Sequence, residues 1–170
     1  MKDDIVNRVA NSKLITINLE DYYPEGKRLV FDIKDWLFEG FVLREKDFRE
    51  SIKQHHWSQY QNTYISLICS SDAIIPAWAY ILISIHLEPF TKKTVIGNLE
   101  LLETSIYQDI INKLEVSEFA NKPIIIKGCS KKAVPQNAYI MLANKLKPIA
   151  QSIMYGEACS SVPLYKKKTS

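Results

Sequence analysis

The chain is short of several things, and each shortage narrows what it can be. No apolar stretch approaches the roughly eighteen residues of a membrane span, and the start, MKDDIVNRVANSK, lacks the basic flank and apolar run of a secretory signal. No membrane partner is therefore expected, and the expected compartment is the cytoplasm. Only 5 glycines are present, and no G-x-G-x-x-G, G-x-x-x-x-G-K or G-x-S-x-G occurs, so a phosphate cradle and a hydrolase elbow have little material. Charge of one sign is scarce too. Lys and Arg number 22 against 19 Asp and Glu, and the surplus of +3 is what Lys166, Lys167 and Lys168 supply by themselves. Nucleic acid is not an expected partner. Cysteine is limited to 3, an odd number in a chain long enough to bury its own core, which favours reduced thiols over a disulfide scaffold. Histidine is also limited to 3, namely His55, His56 and His86.

What is present suits one compact domain spanning 1–170: 46% hydrophobic, 24% charged and 11% aromatic residues. DDIVNRVAN reads as a short helical turn, and LITINL from Leu14 alternates like a half-buried strand. Arg28 to Leu43 carries two apolar runs broken by Asp35 and Gly40, a hairpin or a strand running into a loop. REKDFRESIKQHHW places Phe48, Ile52 and Trp57 near one face of a surface helix. TYISLIC is nearly all apolar, as a strand covered on both faces must be. A helix from Pro76 to Leu87 opens on a proline and closes before Pro89. TVIG reads as a strand, and LELLETSIYQDIINKL as a helix with the stripe Leu101, Leu102, Ile106, Ile110 and Leu114. Pro123 leads into the strand IIIKG. Strands alternating with helices predict an α/β fold, a mostly parallel sheet flanked by helices.

The second half aligns with itself at a shift of 59 residues, placing PAWAYI over PQNAYI, Leu87 on Leu146, Pro89 on Pro148 and Gly97 on Gly156. This predicts two related βαβ units, 62–98 and 122–157, behind an N-terminal extension 1–60 that adds strands and a helix. It also makes SIMY a strand rather than the end of a long kinked helix. Two such units side by side in one sheet would leave a crevice at the carboxyl ends of the strands, where open α/β folds bind ligands.

Cys69, Cys129 and Cys159 all fall just past expected strand ends on that crevice. Three thiolates can hold zinc or iron, with Asp72 the best fourth ligand because it shares a loop with Cys69; Glu157, His55 and His56 are alternatives. No C-x-x-C or H-x-x-x-H spacing supports this, and three separate core thiols are the plainer reading. A second reading makes Cys129 a reactive thiol, since it follows Gly128, sits before an expected helix and precedes Lys131 and Lys132. A turn at Gly128 with two hydrated lysines explains the same residues. His86 lies near the end of its helix, where the dipole favours an imidazolium without any catalytic role, and the same account serves His55 and His56. Asp32 and Asp35 read as surface carboxylates unless a cleft surrounds them. Trp36, Trp57, Trp78, Tyr80 and Tyr139 read as packing residues.

FDIKDWLFEGFVLREKDFRE, SSDAIIPAWAY, IKGC and SIMYGEACSSVP together resemble a small family of uncharacterised bacterial proteins described as a domain of unknown function. The resemblance spans nearly the whole chain. It implies a soluble, stand-alone bacterial protein of about this length, and it carries no substrate, cofactor or catalytic residue onto these positions. The functional expectation is a metal or small molecule bound at the cysteine-lined crevice. Its alternatives are a thiol enzyme acting through Cys129 and a non-catalytic homodimer formed through apolar helix faces.

Overall fold

A computed structural model describes residues 14–128 and 131–168. The chain is mixed α/β with two largely parallel sheets, and it divides into two compact units: Pro24–Ile106, and a second made of residues up to Tyr23 together with Tyr107 onward. The single sheet expected from the sequence is thus two sheets. Of the expected extension 1–60, the two described strands go to different sheets, one beside Pro123–Ile126 and one beside Thr63–Ile68, in different units.

In the unit Pro24–Ile106 the strands β2 (Arg28–Asp32), β3 (Thr63–Ile68) and β4 (Thr91–Ile96) pair in that order, all parallel. β3 carries the residues TYISLI, of which the first five are buried, as a central strand covered on both faces requires. A 3₁₀ turn, Ile33–Trp36, follows β2. Helix α1 (Glu45–Gln54) buries Phe48 and Ile52, one turn apart, and leaves its Glu45–Arg49 pair in solvent at 2.8 Å. Trp57, expected on the same helix, instead opens a separate 3₁₀ turn, Trp57–Tyr60. Helix α2 (Ala77–Leu87) starts after Pro76, which stands in extended conformation at its cap, and buries Ala79, Ile83 and Leu87 at four-residue intervals. Its sequence is apolar all round, so Ile81 and Ile85 on the other side are 58% and 62% exposed. Gly97, at φ 137°, then turns the chain out of β4; a Cβ there would meet the Leu101 side chain at 2.5 Å.

Helix α3 (Leu99–Lys113) runs through the boundary between Ile106 and Tyr107. Its buried line is Leu102, Ile106, Tyr107 and Ile111, whereas Leu101, expected in the stripe, is 47% exposed and Leu114 lies past the helix end. Those positions hold one face at the helical period, and Leu101 sits a full residue off it.

The other unit holds β1 (Ile15–Ile17), β5 (Pro123–Ile126), β6 (Ser152–Glu157) and β7 (Ser160–Lys166), ordered β1-β5-β6-β7. The first three are parallel and β7 returns antiparallel on β6. β7 is a strand the sequence does not announce, because Pro163 lies inside it. An edge strand tolerates proline, and the register shifts between Ile153 and Met154 where Pro163 pairs. Helix α4 (Gln136–Leu146) connects β5 to β6 and buries Ala138, Leu142 and Leu146 against Ile124, Ile126 and Ile153. The residues expected to form the first helical turn, DDIVNRVAN, lie outside the described residues. No described helix is long and apolar enough to cross a membrane.

Candidate functional site

Of the residues expected to form the thiol site, Cys69, Asp72 and Cys159 lie among the described residues and Cys129 does not. Cys69 follows β3 as expected, half-buried against the core of its unit, with Sγ 3.3 Å from Ser71 Oγ. Asp72 is exposed in the loop that follows. Cys159 is exposed in the turn between β6 and β7, in the other unit, so no helix follows it, and Glu157 ends β6. Cys129 lies outside the described residues, and with it the reactive-thiol reading. Among the described residues no three His, Cys, Asp or Glu side chains gather into a group that would hold a metal ion.

A different arrangement stands at the carboxyl end of β2. Asp32, the last residue of that strand, pairs in register with Ile68 and turns its Oδ1 to accept the Lys34 N–H at 3.0 Å and the Ser70 N–H at 3.0 Å. The first bond caps the 3₁₀ turn; the second ties the strand end to the loop after β3. Burial by itself would push the carboxyl up, but hydrogen bonds from the Ser70 hydroxyl and from the Lys34 and Ser70 amides, with the Lys34 charge, outweigh it and hold Asp32 below the ordinary carboxylate range. The 3₁₀ turn then carries Asp35 and Trp36 to the same place.

These residues line a cleft of about 150 Å³ with Val30, Phe31, His55 and Tyr60. His55 comes from the end of α1 and Tyr60 from the turn before β3. Their side chains meet, His55 Nε2 standing 2.9 Å from Tyr60 Oη with the rings stacked at 5.6 Å. Behind them the aromatic rings interlock. Phe31 meets Trp36 edge-on at 5.0 Å and lies parallel to Trp57 at 6.0 Å, and Trp57 in turn stacks on His86 at 5.2 Å. Burial, followed by the neighbouring His56 charge, pushes the His55 imidazole below its ordinary value. This works against the imidazolium that a helix terminus alone would favour. His86 spends its ring on Trp57.

The cleft thus combines two carboxylates, one partly buried and hydrogen-bonded and one exposed, with aromatic residues and an imidazole whose charge is disfavoured. It has no cationic side chain in its wall. The cleft is not legible in the segment 30–36 alone, because His55 and Tyr60 reach it from residues more than twenty positions on from Asp32. The one sequence-level pointer was FDIKDW itself, where a strand ends in two acids three residues apart beside a tryptophan.

No curated protein and no solved structure matches the chain. A family model described as protein of unknown function (DUF2480) matches residues 3–167, nearly its full length, and the chain belongs to that family.

Proposed function

We propose that the protein binds a small organic cation, an alkylated ammonium or a guanidinium group, in the cleft between Asp32, Asp35, Trp36 and Tyr60. The observation that carries this reading is the lining of the cleft: its two formal charges, Asp32 and Asp35, are both negative, and Phe31, Trp36, Tyr60 and an imidazole whose charge burial disfavours complete the wall with Val30. A cation over aromatic faces gains about 0.5–2 kcal/mol per face, and more where water is displaced. A neighbouring carboxylate adds to this through charge. The volume of about 150 Å³ suits a headgroup rather than a large molecule, and the expected affinity is in the millimolar range, about −4 kcal/mol.

The reading extends to the fold. The two units are copies of one βαβ construction, related by the shift of 59. Several features recur at that spacing. Asn62 and Asn121 both take left-handed backbone, φ 60° and 56°, and donate at 2.8 Å to Phe90 O and Ile149 O. Ala79 and Ala138 donate at 3.0 Å to Pro76 O and Pro135 O, and α2 and α4 both have 11 residues. Gly97 and Gly156 both hold positive φ. β1 stands beside β5 as β2 stands beside β3, and Asn18 caps its 3₁₀ turn through Glu20 N just as Asp32 does through Lys34 N. In this correspondence Asn18 takes the place of Asp32. The cap is kept and the charge is lost, so one copy binds and the other supports.

Calorimetric titration with tetramethylammonium tests the function. Saturable binding is expected in the wild type, about tenfold weaker in Asp35→Asn, which corresponds to about 1.4 kcal/mol. Trp36→Leu is expected to abolish it. Equal binding by both variants would place the cation elsewhere and refute the reading.

A further inference from the structure

His55, in the wall of the cleft, carries a ring nitrogen that two donors address. Its Nε2 stands 2.9 Å from Tyr60 Oη and 3.2 Å from Gln59 Nε2. The Gln59 amide nitrogen can only donate, and the Tyr60 phenol, pushed up by burial, keeps a proton to donate as well. Both therefore point at an unprotonated nitrogen, which puts the proton of the neutral ring on Nδ1.

The same ring sits among the aromatic faces proposed for the cation. Trp36 lies 5.1 Å from it and Tyr60 stacks on it at 5.6 Å, with Phe31 at 5.5 Å and Trp57 at 4.7 Å. An imidazolium there is a tethered cation, competing for Trp36, Tyr60 and the two carboxylates. A proton on Nε2 also makes that atom a donor, so the Gln59 amide and the Tyr60 hydroxyl hydrogen both have to turn away. Burial and then the His56 charge disfavour that state from the outset. The charged and titratable groups around His55 come from each element packed against it. Asp32 ends β2, Asp35 lies in the turn after it, Tyr60 in the turn before β3, and His56 follows in the chain. Lys34 acts on Asp32, Lys53 of α1 pairs with Glu50 at 3.7 Å, and His86 of α2 stacks on Trp57.

We infer that His55 gates the cation site by pH. Neutral, it leaves the aromatic faces and the carboxylates to an organic cation; protonated, it takes them itself and adds a like charge to the wall. The gate rests on the cation reading of the cleft and regulates that same site. Coupling of this kind is reciprocal: acid weakens cation binding, and bound cation drives the His55 titration to lower pH. The window lies below the ordinary imidazole value of 6.5, where His55 takes up its proton. Asp32, held below the ordinary carboxylate range, keeps its charge through that window.

Titration calorimetry with tetramethylammonium at about pH 8 and about pH 5, with ring-nitrogen NMR of His55 between them in the presence and absence of the cation, tests the gate. Wild-type affinity is expected to fall about fivefold from the higher pH to the lower, and saturating cation to lower the His55 midpoint by about one pH unit. His55→Gln is expected to bind equally at both pH values, and His56→Gln to keep the wild-type fall. Wild-type affinity that is the same at both pH values overturns the gate and leaves the cation reading standing, and so does a fall that survives in His55→Gln. Absence of binding at the higher pH refutes the cation reading and the gate together. Should His55→Gln fail to fold, the wild-type NMR titration decides: a His55 midpoint that ignores bound cation overturns the inference.

Discussion

Asp32 and His55 titrate in different windows, and both make the protein weaker in acid. Asp32 is held below its ordinary value in the folded chain, so its contribution is complete above the unfolded carboxylate pKa and is lost as pH falls through the folded one. His55 is also depressed, but for an imidazole this means that the unfolded chain binds the proton more readily. Stability therefore falls as pH drops from the ordinary imidazole value toward the folded one. Denaturant unfolding followed across pH should show two steps. His55→Gln is expected to remove the upper and Asp32→Asn the lower, while Asp32→Ala, which also loses the cap, should cost about 1 kcal/mol at neutral pH. At this scale the sequence was a partial guide. The carboxylates were visible in FDIKDW, yet their meaning depends on Ser70, His55 and Tyr60, which reach them only through the fold. The cysteines drew attention by their strand-end placement, a real regularity for Cys69 that did not translate into shared ligation among the described residues.

Between elements, one ion pair stands out. Arg28 at the start of β2 meets Glu103 of α3 at 2.6 Å with the side chains only 11% and 8% exposed, and its guanidinium also donates to Pro24 O and Gly26 O and lies 4.8 Å over the Tyr64 ring. Removing one partner of such a pair strands a buried charge. Arg28→Met should cost about 3–5 kcal/mol, measured by denaturant midpoint at constant slope, and the double change Arg28→Met with Glu103→Leu should recover much of it. The pair was invisible in sequence, since its members are far apart in the chain and neither belongs to a motif. Elements themselves were more legible. α2 was bounded correctly by Pro76 and Pro89, and β3 by its unbroken apolar run. β7 was hidden by Pro163, and the α3 stripe was misplaced by one residue because Leu101 and Leu102 compete for the same face.

For the whole molecule, alternation of strand and helix was enough to give the α/β class and the parallel pairing. It was not enough to give the number of sheets, because a strand as short as β1 says little about which strand it pairs with. β1 joins β5 across the entire length of the intervening unit, a pairing of high sequence separation. The consequence for function is that the carboxyl end of the β2–β3–β4 sheet carries its own cleft, complete within Pro24–Ile106. The central claim is that this cleft selects charge as well as shape, and the most direct measurement compares tetramethylammonium with neopentane-like neutral isosteres such as tert-butanol while following the Trp36 indole N–H by NMR. A saturable shift with the cation, absent with the neutral compound and needing about tenfold more cation in Asp35→Asn, is the predicted result. A Trp36 resonance that ignores the cation, or moves equally with both compounds, would contradict the account.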